Sequence, residues 1–368
     1  MAVLILVFIT AFAVVLYSTP ALIKVAVLKR LIDLPSEERK IHKRAVPTIG
    51  GIIIYAATLF SFSLWYNIDD IHEYDQIYES VKEFKILVAT SLVLFFVGVK
   101  DDIIGTSPVK KLFANILVGL ILVLMGDIRI TGLHGVFGIE EIPLWGSIFL
   151  SLFTYIVVVN AMNLIDGLDG LAAGIGFIVT SVFGVWFIFS NEFTLAALCF
   201  SLSGSLIGFL IFNFSPAKIF MGDSGSLVIG MFICVLSIKL IEYPLNRLDD
   251  FWVHISKPIF VVASLSYPLV DTLRIFILRA VKGQSPFAAD KNHLHHRLLD
   301  CGYSHVKTVI IIYVFSMVAV GISLLSYFLN PSLSLLLVLA VSGLFILLVH
   351  FCYQSAINKK INREIEKH

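Results

Sequence analysis

Charge is scarce in this chain. Only 14% of its 368 residues are Asp, Glu, Lys or Arg, where a soluble domain carries about 25%. Hydrophobic residues make up 58% and the mean hydropathy is +0.94. That deficit excludes a soluble globular domain. The net charge of +1 says little, because what matters is how charge is distributed between loops; no nucleic-acid partner is expected. Cysteine is sparse too: Cys199, Cys234, Cys301 and Cys352 are scattered, with neither zinc spacing nor a disulfide framework. Long polar linkers are missing. The longest polar connection is about 278–306, so no soluble domain is appended. The first residues, MAVLILVFITAFAVVLYSTPALI, lack a basic leader region and outrun a signal peptide, and they read as a retained first helix.

What is present is apolar sequence in long runs. A helix needs about 20 residues to cross a bilayer. Eleven spans are expected, roughly at 2–23, 48–66, 85–99, 112–126, 144–160, 171–189, 192–212, 225–242, 257–277, 307–328 and 332–353. Spans three and four are short enough to be partly re-entrant. The expected fold is therefore an all-α polytopic membrane protein, one integral domain over 1–355 with a tail at 356–368. Most of the 27 Lys and Arg residues fall on the side that holds 24–47, 100–111, 160–170, 213–224, 278–306 and the tail. The opposite side keeps only Lys82, Lys85, Arg129, Lys239, Arg247 and Lys257. The excess of positive charge makes the first side the cytoplasm.

Every unusual polar stretch falls on that same face, and this agreement argues for one composite site. The first, KIHKRAVPTIGG (40–51), sets Lys40, His42, Lys43 and Arg44 ahead of a glycine pair. It reads either as a basic membrane anchor or as a cradle for an anionic group at a helix start. In GVKDDIIGTSPVKK (98–111), Asp101 and Asp102 sit at a helix C-terminus, where negative charge opposes the dipole unless a cation is near. Lys100, Lys110, Lys111 or a metal ion would supply that cation. In NAMNLIDGLDGLAAG (160–174), Asn160, Asn163 and Gly167 share one face of a continued helix, and Asp166 and Asp169 are three apart. Helix packing through small residues explains the glycines. It leaves the four polar groups unexplained, and these are expensive beside hydrocarbon. In PAKIFMGDSGS (216–226), Asp223 is either the N-cap of span eight or a hard oxygen ligand, and Phe220 offers a ring. In SPFAADKNHLHHRL (285–298), His293, His295, His296 and Arg297 provide donors for phosphate oxygens; a zinc site has no partner at metal spacing. Carboxylates and amides suit Mg²⁺, and cations and histidines suit a diphosphate. A magnesium-dependent reaction on a phosphate ester at the membrane surface follows.

These five motifs, in this order over about 40–310, resemble the polyprenyl-phosphate N-acetylhexosamine-1-phosphate transferase family. HLHHRL after SPFAADKN is similar to the GlcNAc-1-phosphate branch; the branch that acts on phospho-MurNAc-pentapeptide usually shows three consecutive histidines. The resemblance implies transfer of HexNAc-1-phosphate from a UDP-sugar to undecaprenyl phosphate, releasing UMP, to start a cell-envelope glycan such as O-antigen or teichoic acid. It implies a multi-pass protein of the bacterial inner membrane, with the site cytoplasmic. Its cofactor would be Mg²⁺, with Mn²⁺ as a substitute, held by Asp223 and Asn163. Phe220 would stack on uracil, with Asp169 and Lys111 near the nucleotide. His295, His296 and Arg297 would contact phosphate or sugar, and Asp101 and Asp102 would face the lipid phosphate. Lys40, His42, Asn160 and His293 complete the expected substrate-binding set, and Asp166 joins the expected catalytic one. Homodimerisation is left open.

Two mechanisms remain open on the residues: direct attack by the lipid phosphate, and prior attack by an aspartate to give a phospho-enzyme. UDP-FucNAc, UDP-QuiNAc and UDP-MurNAc-pentapeptide are alternative donors. A cation-coupled transporter is a distant alternative. Transporter sites lie near mid-bilayer on broken helices, whereas here the acids gather at span ends, with Asp271 and Arg274 the main exception and a candidate structural pair.

Overall fold

Long apolar runs become helices because a helix satisfies every backbone polar group within one segment, which hydrocarbon demands. The computed structural model describes residues 1–29, 32–33, 46–65, 74–283 and 292–365. Apart from one antiparallel pair of two-residue strands, β1 (Ile32–Asp33) and β2 (Val46–Pro47), its regular structure is helical. The protein is thus an all-α multi-pass membrane protein. Among the described residues, eight helices are long and apolar enough to cross a bilayer, and a ninth span forms if a bent pair counts as one. The two remaining expected spans are helical as well. Gly50–Trp65 is a shorter apolar helix, and 85–99 lies within the longer helix Tyr74–Ile104.

The chain forms two compact units, Met1–Leu133 with Ile139–Val253, and His134–Gly138 with His254–His368. The first contains α1 (Ala2–Leu28), α2 (Gly50–Trp65), α3 (Tyr74–Ile104), α4 (Pro108–Leu120, continued by a π-turn at Ile121–Met125), α5 (Leu144–Leu164), α6 (Leu171–Phe189), α7 (Phe193–Asn213), α8 (Asp223–Ile241) and the short α9 (Asp250–Val253). Helix α8 is its axis. It is apolar all round and buried along nearly its whole length, packed by α2, α3, α5 and α6. Lipid tails are as apolar as leucine, so close backbone approach holds such helices together. A Cβ on Gly51 would lie 2.0 Å from the Gly225 backbone nitrogen, and one on Gly98 would lie 2.5 Å from the Ser224 Cα. A Cβ on Gly230 would lie 2.8 Å from the Val159 Cα. Hydroxyls add cross-links: Thr58 donates to Ser205 Oγ at 3.0 Å and Ser61 to the Val7 carbonyl at 2.5 Å.

The second unit holds α10 (Lys257–Ser264), α11 (Ser266–Val281), α12 (Leu294–Asp300), α13 (His305–Ser323) and α14 (Pro331–Ile365). The expected single span at 257–277 is broken: α10 and α11 meet at 72°. Pro268 lies in the first turn of α11, and a proline without an N–H cannot continue a helix from the preceding turn. The break falls here, and not in spans three and four. Phe315 and Phe345 stack at 4.1 Å between α13 and α14.

Candidate active site

In the first unit, the functional groups gather at one end of α8. The helix expected to continue through Asp169 stops at Leu164, and 165–170 forms a turn that closes on Gly170 at φ +81°. A left-handed residue of this kind ends a helical run, and glycine adopts it without strain. Gly167 therefore does not share a helix face with Asn160 and Asn163. Asn160 turns its amide back to the Ile156 carbonyl at 2.7 Å. Asn163 points the other way. Its Nδ2 donates to Asp223 Oδ1 and to Ser226 Oγ, both at 2.8 Å.

Asp223 is the first residue of α8, and the N-cap is Gly222, at φ +72°. No cap side chain serves the first amides of α8. Asp102, from the end of α3, does so instead: Oδ1 accepts from Asp223 N at 2.7 Å and Oδ2 from Ser224 N at 3.0 Å. A carboxylate at a helix N-terminus is favoured by the dipole and by the free N–H groups. A Cβ on Gly222 would collide with the Thr48 carbonyl at 2.1 Å and with Asp102 at 2.6 Å, so only glycine fits there. Lys111, from the first turn of α4, is hydrogen-bonded to Asp223. It also lies 3.3 Å from Asn163 Oδ1 and 3.6 Å from Asp101 Oδ2.

Two loops complete this end. Asp169 Oδ2 accepts from Ala217 N at 3.0 Å. Asn213 accepts from Gly170 N at 3.0 Å and donates to the Ile219 carbonyl at 2.9 Å. The backbone of Phe220 is tied to Pro47 and Gly50, at 2.7 and 2.9 Å, and its ring is half-buried. Asp102, Asp166 and Asp169 are electrostatic neighbours. Burial, then the charge of Asp102, pushes the Asp166 carboxyl well above the usual range. Burial likewise lifts Asp102, beyond the apolar 85–99 stretch, to about 6, against the pull of Ser224.

The expected residues Asp101, Asp102, Lys111, Asn163, Asp166, Asp169 and Asp223 thus belong to one linked cluster. Asn213, Ser226 and Gly222 are additions. Asn213 had one signal, an amide ending an apolar span; Ser226 and Gly222 flank Asp223 in the GDSGS stretch. Lys40 and His42 lie outside the described residues.

This cluster has the donors a hard cation uses. Asp223, Asp101 and the Asn163 carbonyl present oxygen, and Lys111 places an ammonium among them. Among the described residues, no group of three His, Cys, Asp or Glu is arranged as a ready metal cage. Mg²⁺ rarely uses one: it takes one or two carboxylates and completes its shell with water and substrate phosphates.

The histidine motif belongs to the second unit. His293, His295 and His296 place their rings within 4.4–6.3 Å of one another, centroid to centroid. His293 Nδ1 lies 2.8 Å from Asp271 Oδ2, and Asp271 Oδ1 accepts from Leu294 N at 2.8 Å. Asp271 therefore engages His293, while Arg274 donates to the Asn292 carbonyl at 2.5 Å. Tyr267 Oη lies 3.2 Å from His295 Nδ1. Burial pushes His295 down to about 3, against the pull of Asp271, so its ring is neutral at physiological pH. Arg297 faces α14, with Nη1 3.4 Å from His350 Nδ1 and its guanidinium 5.2 Å from the centre of the Tyr353 ring.

Comparison with known proteins adds an independent line. Residues 84–241 match the model of glycosyl transferase family 4. The chain is 34% identical to the decaprenyl-phosphate N-acetylglucosaminephosphotransferase of Mycobacterium leprae (strain TN), covering 80% of this chain and 76% of that protein. It is 32% identical to the probable undecaprenyl-phosphate N-acetylglucosaminyl 1-phosphate transferase of Bacillus subtilis (strain 168), covering 83% and 80%. It is 28% identical to the undecaprenyl-phosphate alpha-N-acetylglucosaminyl 1-phosphate transferase of Yersinia pestis, covering 78% and 75%.

Proposed function

The chain belongs to the polyprenyl-phosphate N-acetylglucosamine-1-phosphate transferase family, and on that premise we propose that it transfers GlcNAc-1-phosphate from UDP-GlcNAc to undecaprenyl phosphate. The products are undecaprenyl-diphosphate-GlcNAc and UMP. The reaction takes place at the cytoplasmic face of a bacterial inner membrane. The observation that carries this reading is the Asp223–Asn163–Lys111 cluster at the head of α8.

The chemical difficulty is repulsion. Two unit charges 4 Å apart repel by about 4 kcal/mol at an effective dielectric near 20, and a phosphate meeting a diphosphate makes several such pairs. Asp223 and Asn163 are the residues that would hold Mg²⁺, which would supply charge neutralisation there. Lys111 contributes a second positive charge at the same place. An oxygen of the lipid phosphate forms the new bond to the sugar-bearing phosphorus, and the bond from that phosphorus to the UMP oxygen breaks. A phosphate monoester has a second pKa of about 6 and is mostly dianionic at neutral pH. Orientation therefore matters more than a strong base. Both Asp102 oxygens are engaged by α8 amides, so Asp102 acts by positioning Asp223. Asp101, beside Lys111, is the carboxylate left to accept any residual proton of the lipid phosphate.

The test is a transfer assay in detergent with labelled UDP-sugars and undecaprenyl phosphate, with Mg²⁺, with Mn²⁺ and with chelator. Lipid-linked label and UMP in equal amounts, dependent on the divalent ion, are expected. Label from UDP-FucNAc, UDP-QuiNAc or UDP-MurNAc-pentapeptide in preference to UDP-GlcNAc overturns the sugar assignment. Turnover unaffected by chelator removes the metal.

A further inference from the structure

The carboxylate of Asp271 is fully buried in α11, with no exposed surface. Placing a charge there is costly unless hydrogen bonds compensate it. Its two oxygens have separate tasks. Oδ1 takes the first amide of α12, Leu294 N, at 2.8 Å, while the N-cap His293 makes no side-chain cap of its own. Oδ2 faces His293 Nδ1 at 2.8 Å and lies 4.0 Å from His295 Nδ1. An ionised carboxylate is an acceptor at both of its oxygens. The His293 ring therefore keeps a proton on Nδ1 and turns Nε2 away from Asp271. His293 in turn stacks on His295, with rings 5.3 Å apart and 13° from parallel, and Tyr267 holds the Nδ1 edge of His295.

Resting on the transferase reading above, we propose that Asp271 is a positioning residue for the reaction: it docks α12 by its first amide and fixes the tautomer of His293, so that Nδ1 is held as the donor edge and Nε2 is turned away from the carboxylate. One buried carboxylate thereby orients the imidazole cluster through His293. A histidine with its second nitrogen pinned by a carboxylate is a recurring way of setting imidazole direction.

The test is Asp271→Asn in the full-length protein. The introduced amide keeps one acceptor oxygen for Leu294 N. Its NH₂ then donates to His293 Nδ1 and drives the ring proton to Nε2. Nitrogen-15 NMR of histidine-labelled protein should show His293, assigned by its loss in His293→Gln, protonated at Nδ1 in the wild type and at Nε2 in the variant. The variant should keep its thermal transition, lose turnover by about 10–100-fold, the usual cost of removing an orienting partner, and change KM little. A wild-type ring protonated at Nε2 overturns the proposal, whether or not the variant folds. So does wild-type turnover in a variant whose tautomer has switched. If the wild type transfers no sugar phosphate, the transferase reading fails, and the NMR comparison still decides what Asp271 does to His293.

Discussion

Gly51→Ala places a single methyl group between α2 and α8. The Cβ would lie 2.0 Å from Gly225 N and 2.5 Å from both Gly225 Cα and Ser224 C. Ordinary contact is about 3.5–4.0 Å, so the helices must separate by roughly 1.5 Å. All three obstructing atoms are backbone, and no rotamer change relieves them. The obstructed turn directly follows Asp223, whose bonds to Asn163 and Asp102 are 2.8 and 2.7 Å long. A shift of that size takes both beyond hydrogen-bonding range. Overpacking costs about 1–3 kcal/mol, and a misplacement of about 1 Å at reacting groups costs about 10²-fold in rate. The expected result is a lowered melting temperature in detergent and a loss of sugar-phosphate transfer on the order of 10²-fold. Gly321→Ala and Gly343→Ala are matched controls, since nothing lies within 4 Å of either Cβ position. They should be neutral, or stabilising by about 0.5–1 kcal/mol as helical Gly→Ala changes are. Gly51→Ala with wild-type turnover and an unchanged transition would refute the close approach of α2 and α8 as the device that sets Asp223.

Three further outcomes are expected. Asp223→Ala should abolish turnover while expression stays normal; near-normal activity removes it as a metal ligand. Lys111→Met should lower kcat by about 10²-fold through loss of a phosphate-directed charge, yet tighten the apparent Mg²⁺ requirement because Asp223 loses a competing cation. A kcat loss with weakened Mg²⁺ dependence contradicts that placement. His295 gives a pH signature. Its folded value of about 3 lies below the ordinary 6.5, so the unfolded chain takes up the proton first and stability is lost as pH falls below 6.5. From about pH 7 to about pH 5 the penalty is about 2 kcal/mol. Thermal scans should show the wild type losing more than His295→Gln over that interval, and parallel losses would count against a neutral buried ring.

The spans were legible because hydropathy over about 20 residues is a local property. The breaks were less so. The break at Leu265 lies just ahead of Pro268, yet the apolar stretch continues across it, and hydropathy alone joins the two halves. Asn160 and Asn163 looked equivalent by spacing. The turn at 165–170 and the approach of α8 distinguish them, leaving Asn160 on its own backbone and Asn163 on Asp223. Asp102 read as an acid at an unfavourable helix end, in need of a cation. It sits instead at the favourable end of a different helix, 121 residues later in the chain, and no local pattern carries that information. Asp271 stands out as a charge within a span, but its partner His293 is 22 residues further along the chain, so the near neighbour Arg274 is the pairing that spacing offers.

The enclosure of α8 has a consequence for biogenesis. Each helix packed around it, α2, α3, α5 and α6, precedes it in the chain. A polypeptide entering the bilayer from its N-terminus therefore presents α8 with a slot whose walls are already synthesised. Asp102, Lys111 and Asn163, the partners of the Asp223 end of α8, likewise precede it in the chain. Errors in that late docking step would yield inserted but inert protein, so correct membrane integration alone is a poor proxy for a competent enzyme.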